Sequence, residues 1–407
     1  MDLNFNSKKV NMQGSRKVWF VFFTLSLLSI LEVYSASSNM SYASGQFWRP
    51  MTMHSIYVVL SIVVAYLVHR LPTSIVKILL VAFYIPSILL LLLAMLHGPQ
   101  INGAGRWLEF GGFSFQPSEI VKLTLLGAIS FLFSAGFEKK KGSINVGWYY
   151  AAVVTTLIPV LLILKENLST AVIIVLVVLL LTSIAKPPRR HYWGLCLLLL
   201  VLVLGGYAGM KNMPHSLVNK IDEMGLHRTS TWVNRLQEVD TLPANPYEFP
   251  VYDNLQKTHS RIAIATSGVL GRGLGHSVER DFLPQAYSDF IYAIVIEELG
   301  LLPAFLVMIL YLILLYSCIQ IADDCKTRYA RFLVMGLGLM ITTQAMVNMA
   351  VATGAMPVTG QPLPLMSKGG SSMVVTGVYI GVILGVSRSI KNRKEKQELE
   401  QTNAIEK

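Results

Sequence analysis

Long apolar runs alternate with short polar segments along almost the whole chain. A run of about 17–25 apolar residues is long enough to cross a bilayer as a helix. Ten such runs are readable, at 18–36, 54–71, 74–96, 117–135, 147–164, 168–185, 191–209, 289–317, 331–352 and 371–388. The fold class this predicts is an all-α integral membrane protein with ten transmembrane helices. One connection, 210–288 between the seventh and eighth runs, is far longer than ordinary loops, and loops of that length carry function or are disordered. Within it, "DNLQKTHSRIAIATSGVLGRG" (253–273) has apolar residues at helical spacing and then a glycine cluster, predicting a short helix at the outer surface that ends near Gly268. Residues 1–390 read as one polytopic domain. The stretch 391–407 alternates Lys and Glu and reads as a charged tail, frayed helix or disordered.

Charge supplies the orientation. Lysine and arginine crowd the N-terminus (Lys8, Lys9, Arg16, Lys17), then every second connection: Arg70 and Lys77; 139–141; Lys186, Arg189 and Arg190; Lys326, Arg328 and Arg331; and the tail from Arg388. The short intervening loops hold single bases: Arg49, Arg106, Lys165 and Lys368. By the positive-inside rule both termini are cytoplasmic and 210–288 lies outside. The first run is too long for a signal-peptide core and is expected to be an uncleaved anchor. Only 14% of residues are charged, against about a quarter in soluble domains. The net charge of +11 is this topology signal and gives no reason to invoke nucleic acid. Cys196, Cys318 and Cys325 offer no external disulfide, and no Cys/His spacing suggests structural zinc. No Gly-rich phosphate loop ending in Lys-Ser/Thr appears, so ATP is not the expected energy source.

Polar residues worth explaining gather on the outer face. In "FLPQAYSDFIYAIVIEELG" (282–300), Asp289 opens the eighth run and Glu297 and Glu298 follow about 12–14 Å deeper, at ~1.5 Å per residue. A carboxylate in hydrocarbon costs roughly 2.5 kcal/mol or more, so each needs a reason. Asp289 is either a helix cap, in competition with Ser288, or a general base at the mouth of a cavity. The two glutamates are adjacent and are expected to be structural, one facing the bundle interior against a base. In "QPSEIVKL" (116–123), Glu119 and Lys122 share a helix face; they form a structural pair or line a polar cavity for an anion. Arg106 either contacts a phosphate or snorkels, and Trp107 suits an interfacial belt. "TGAMPVTGQPLPLMSKGGSS" (353–372) reads as a re-entrant or surface turn. Its end at Ser371 and Ser372 either presents N–H groups to an anion or simply starts a helix.

Taken together, "NGAGRWLEFGGFSFQPSEIVKL", "LSTA", "GVLGRGLGHSVERDFLPQAYSDFIYAIVIEELG" and "NMAVATGAMPVTGQPLPLMSKGGSS" resemble the SEDS family (shape, elongation, division and sporulation), over nearly the whole chain. The wording is most similar to its FtsW branch of the Bacteroidetes type, with RodA as sister group. The resemblance implies the ten-helix SEDS fold and a peptidoglycan glycosyltransferase that polymerises lipid II outside the cytoplasmic membrane, at the division septum. It places the family's essential acid on Asp289, its cavity Glu and Lys on Glu119 and Lys122, and its Arg-Trp on Arg106 and Trp107. It also implies a class B penicillin-binding protein (an FtsI-like transpeptidase) and other division proteins as partners. Many members read Pro-Asp-Leu-Gly-Thr where this chain has Glu166-Asn167-Leu168-Ser169-Thr170, leaving Glu166 or the Asn167 amide to take the carboxylate's place. Lys368 replaces the usual Tyr before Gly-Gly-Ser-Ser.

The implied reaction inverts the sugar C1, which needs a base on the acceptor hydroxyl and a stabilised leaving group. Asp289 is the expected base. Arg106, Lys122 and Lys368 are expected to neutralise the pyrophosphate, with a divalent cation (Mg2+ or Mn2+) as candidate cofactor. Two alternatives stand beside the enzyme: a lipid II flippase using Lys122, Glu297 and Glu298 as a polar path, and a non-catalytic scaffold of the division machinery. Against the flippase, the polar groups gather at one face and no inverted repeat is visible.

Overall fold

The computed structural model describes residues 13–36, 49–99, 107–110, 113–138, 140–214, 216–217, 233 and 255–405. Arg106 and most of the long loop's first half lie outside these residues. The described chain forms thirteen α-helices: α1 Arg16–Ala36, α2 Arg49–Arg70, α3 Thr73–Ala82, α4 Tyr84–His97, α5 Pro117–Ala135, α6 Val146–Glu166, α7 Leu168–Ala185, α8 Arg189–Lys211, α9 Leu255–Ser267, α10 Ile291–Leu299, α11 Leu301–Asp323, α12 Arg328–Ala352 and α13 Gly370–Ile405. Two small antiparallel hairpins qualify the all-α expectation: β1 Leu108–Phe110 with β2 Phe113–Phe115, and β3 Phe137–Glu138 with β4 Ser143–Ile144.

Nine of the described helices are long and apolar enough to cross a membrane, and a tenth crossing arises if the bent pair α3–α4 counts as one. That pair corresponds to the run 74–96, bent by 41°. Pro86 explains the bend: its ring clashes with the carbonyl four residues back, at Ala82, where α3 stops.

The eighth run is the main departure from the sequence reading. It was expected to be one helix over 289–317; instead the chain breaks at Gly300, whose φ of 93° and ψ of 175° only glycine adopts readily. The break is forced by a backbone crossing. Arg272 and Gly273 donate N–H groups to the Glu297 and Glu298 carbonyls (2.9 and 2.8 Å), and Leu301 N donates to Gly268 O (3.3 Å). A Cβ on Gly271 would lie 2.3 Å from Glu298 O, and one on Gly300 2.3 Å from Val269 O. The nine-residue α10 is therefore a separate helix sunk in the protein, and α11 is the membrane-length one.

Helices α5 and α12 form the buried centre, with α12 packed on α5, α7 and α11. On the flank, α13 runs against α2 through Gly377, Gly381 and Gly385. A Cβ at Gly377 or Gly381 would stand within 2.7 Å of an α2 atom, so small residues set this close approach. The tail, expected to be frayed or disordered, continues α13 as helix to Ile405, with i,i+4 pairs Lys391–Glu395 and Lys396–Glu400 and a Lys394–Asp324 contact at 2.8 Å. Helix α9 supplies the short helix expected within 253–273 and ends before Gly268. Helix α8 buries none of its residues.

Candidate active site

The site is assembled around the segment between α12 and α13. Residues 353–369 form no regular helix or strand, yet Gln361, Leu363, Leu365, Met366 and Ser367 are buried. Irregular backbone needs its hydrogen bonds met by protein in such a place, and side chains from surrounding helices meet them. Gln344 of α12 donates Nε2 to Pro362 O (3.2 Å), Asn348 donates Nδ2 to Gln361 O (2.7 Å), and Ser29 of α1 donates to Met366 O (2.9 Å). Tyr311 of α11 donates its hydroxyl to Pro364 O. The stretch, read from sequence as a re-entrant or surface turn, is packed into the protein at these positions.

Asp289 sits on the turn just before α10, against this segment. It is not the cap of α10: the cap position is Phe290, and no side chain caps that helix. Its carbonyl accepts Asn348 Nδ2 at 2.8 Å, so one amide ties Asp289 and Gln361 together. Its Oδ1 accepts the Ser288 hydroxyl at 2.9 Å, and its Oδ2 faces Gly360. Ser288 O in turn accepts Ser367 Oγ at 2.5 Å. Asp289 retains 8% exposure, so it is neither open nor sealed.

Lys368 belongs to the same group. Its N–H donates to Tyr287 O at 2.9 Å, and its Nζ lies 4.7 Å from the centre of the Tyr287 ring. Burial holds its ammonium below the usual lysine range. Burial first, and then the charge of Asp289, holds the Tyr287 phenol above its own.

Lys122 and Glu119 form a buried pair at 2.8 Å, and Lys122 Nζ also donates to Gln344 Oε1 at 3.0 Å. The lysine thus reaches the buried segment 353–369 through Gln344. Asn167 closes α6 and caps α7, accepting Thr170 N at 3.2 Å; Thr170 Oγ1 accepts Gln361 Nε2 at 2.8 Å. Asn167 is thereby joined to the same centre by one intervening hydroxyl.

At the start of α13, Ser371 Oγ accepts Gln116 N (3.3 Å), and Ser372 Oγ donates to Gly369 O (2.7 Å). Ser371, Gln116, Ser114 and Tyr57 line a cavity of about 220 Å³ whose walls are otherwise apolar. A helix N-terminus beside such a cavity suits an anion attached to a lipid. Trp107 is partly exposed just before β1.

Glu297 and Glu298 lie elsewhere. Both are fully buried, because α10 is enclosed on all sides and adjacent residues both point inward. Glu297 accepts Val278 N (3.0 Å) and Ser277 Oγ (2.5 Å) and pairs with Arg272 at 3.2 Å. Glu298 accepts Gly275 N (3.0 Å), Ser277 N (3.3 Å) and the Ser35 hydroxyl. Both hold the loop 272–280, where only one was expected to meet a base.

The sequence reading passed over Gln344, Asn348, Gln361 and Ser367, which do most of the fastening. Gln344 and Asn348 carried a usable signal, being two amides at i,i+4 on an otherwise apolar helix. Among the described residues no three His, Cys, Asp or Glu side chains converge as a metal centre.

Comparison with known proteins agrees with this architecture. A family profile described as the FtsW/RodA/SpoVE "cell cycle protein" matches residues 15–392. The chain is 32% identical over 402 residues to a Coxiella burnetii protein named "Probable peptidoglycan glycosyltransferase FtsW", covering 95% of this chain and all of that one. A Halomonas elongata protein of the same name is 30% identical, over 93% of this chain and 92% of its own. Among solved structures, a chain from work on the structural coordination of polymerization and crosslinking by a peptidoglycan synthase complex superposes with a TM-score of 0.68 at 24% identity, covering 93% of this chain and 98% of its own. The rod shape determining protein RodA of Thermus thermophilus does so with 0.63 at 24%, covering 92% and 97%. The chain therefore has the RodA-like fold, and it belongs to the FtsW/RodA/SpoVE family of cell cycle proteins.

Proposed function

We propose that this protein is a peptidoglycan glycosyltransferase that polymerises lipid II into β-1,4-linked glycan at the outer face of the bacterial cytoplasmic membrane, during division. Family membership and the relatives' names support the activity class. The observation that supports the mechanism is the packing of Asp289 against a segment fixed by Asn348, Gln344 and Ser367, with Lys368 of that segment bonded to Tyr287, two residues before the acid. In the ten-span arrangement with both termini inside, this group faces the outer leaflet.

Asp289 takes the proton from the acceptor sugar's 4-hydroxyl as that oxygen attacks C1 of the lipid-linked donor. The C1–O bond to the pyrophosphate breaks on the opposite face, which inverts the anomeric centre. The departing negative charge is met by Lys368, by the N-terminus of α13 at Ser371 and Ser372, and by Arg106. Lys122, paired with Glu119, acts through Gln344 on the segment's shape. The residues around Asp289 fit a divalent cation only loosely: Asp289 would supply a single carboxylate, and the pyrophosphate oxygens would supply the rest. Such an ion would screen leaving-group charge.

A class B penicillin-binding protein is the partner this reading implies, since the first of those structures concerns a synthase complex that couples polymerization to crosslinking. Purified protein with fluorescent lipid II tests the whole reading. Wild type should make polymer without leaflet exchange, and Asp289→Ala should insert and fold but make none. Exchange without polymer would instead identify a flippase, and normal growth on Asp289→Ala a scaffold.

A further inference from the structure

The stretch 368–372, whose lysine and helix start meet the leaving charge in the proposed mechanism, is held from a second side. Helix α2 presents His54, Tyr57 and Ser61 at i, i+3 and i+7, on one helix face. All three address the chain around that stretch. Ser61 donates its hydroxyl to Met373 O at 2.9 Å. A Cβ on Gly370 would lie 3.4 Å from the Tyr57 ring. His54 reaches Met366 through a serine: its Nε2 lies 2.5 Å from Ser29 Oγ of α1, and that hydroxyl donates to Met366 O at 2.9 Å.

The bonding fixes the state of the ring. Ser29 has one hydroxyl hydrogen, and Met366 O, which can only accept, takes it. His54 Nε2 therefore carries a proton and donates it to Ser29 Oγ. His54 is buried, and its Nδ1 has no hydrogen-bond partner. A second proton there would make a buried charge whose N–H meets no acceptor, so the ring is neutral and Nδ1 is bare. An unmet buried acceptor carries a desolvation cost with no bond to offset it. An apolar pair at 29 and 54 would pack α1 on α2 without that cost.

What the histidine does is visible in Ser29. Serines inside helices often turn back on their own helix, as Ser130 does to Leu126 O (2.6 Å) and Ser317 to Ile313 O (2.7 Å). Ser29 sends its hydrogen across to Met366 instead, with the His54 N–H on its lone pair. We propose that His54, as the neutral Nε2–H tautomer, is a positioning residue for the pyrophosphate half of the site. Its N–H keeps Ser29 bonded to Met366, two residues before Lys368, while Ser61 holds Met373, directly after Ser372. The lysine and the start of α13 are thus held between two fixed carbonyls. Asn348 and Gln344 do the corresponding work on the Asp289 side. The role rests on the proposed glycosyl transfer for its substrate.

The test uses the purified full-length protein in detergent, with fluorescent undecaprenyl pyrophosphate as binding probe and lipid II as substrate. His54→Leu should weaken probe binding and raise KM for lipid II by about tenfold, the scale of one hydrogen bond, with kcat moving less. Its unfolding temperature should stay level or rise, since an unmet buried acceptor is removed. His54→Gln keeps an N–H near the Nε2 position and should recover most of the binding. Ser29→Ala should match His54→Leu, the double variant should be no worse than either, and the serine variant serves if His54→Leu does not fold. Four results would overturn the role: unchanged binding in both single variants, additive losses in the double one, no recovery with His54→Gln, or binding lost only in step with unfolding temperature. The same binding shifts in a protein whose wild type makes no polymer would support the positioning and strike the enzyme reading.

Discussion

Asp289 and Glu297 are eight residues apart, both are acids, and both are buried, yet they are held in opposite ways. Glu297 has every approach occupied: a backbone N–H, a serine hydroxyl and an arginine close on its carboxylate. Asp289 is fastened through its backbone, by Asn348 and by the Gln285 carbonyl; its Oδ1 takes the neighbouring Ser288 hydroxyl, its Oδ2 faces Gly360, and the residue keeps 8% exposure where Glu297 has none. A carboxylate saturated with fixed donors is a structural fastening. One whose backbone is fixed and whose residue still reaches solvent is suited to exchanging a proton.

The contrast should split cleanly under mutation. Asp289→Asn is expected to lower glycan synthesis by about 10²–10⁴-fold, the range of a lost general base, with no change in unfolding temperature. Glu297→Ala should do the reverse, costing about 3 kcal/mol of stability by stripping the partner from Arg272 and two donors, while the molecules that fold stay active within a few-fold. If Asp289→Asn unfolds the protein, or Glu297→Ala abolishes turnover in folded material, the two acids have been assigned the wrong way round.

A smaller effect sharpens the same comparison. Asn348→Ala removes the amide that ties Asp289 to Gln361, a loss of about 1–3 kcal/mol in hydrogen bonding. Because it disturbs the frame and not the head group, kcat should fall roughly tenfold on that scale while KM is little changed. An equal rise in KM would mean that Asn348 serves substrate binding instead.

Lys368 gives the smallest expected effect, and one with a sign. Burial lowers its titration below the ordinary lysine value of 10.5. Its ammonium is therefore lost as pH rises through that lowered value, and KM for lipid II should climb in the alkaline range earlier than an exposed lysine would allow. Stability moves the other way. The folded protein binds this proton less tightly than the unfolded chain, so the residue's contribution to stability increases across the same window. Lys368→Arg should flatten the alkaline rise in KM.

Much of the fold was legible because hydrocarbon imposes a simple rule on span length. The run boundaries for α1, α2, α5, α7 and α12 lie within a few residues of the helices. The run 289–317 misled because hydropathy records burial, not continuity: α10 is as apolar as a span but is buried by protein, and the cause of the break at Gly300 lies some thirty residues upstream at Gly271. The acids and lysines could be nominated by their cost in an apolar setting. The amides that position them carry no charge, so Gln344, Asn348 and Gln361 were hidden among ordinary polar residues until the buried segment 353–369 brought them together. Glu32 escaped notice for a different reason: one acid in a long first run looks like tolerated noise until its full burial is known.

Helix α8 has a practical use that follows from its burying nothing. It carries Cys196, partly exposed, whereas Cys318 and Cys325 are buried. The native chain thus supplies its own addressable thiol, on an element whose apolar side chains touch little of the protein. A lipid-soluble maleimide should attach there first and leave turnover unharmed, giving a spectroscopic reporter without any engineered cysteine.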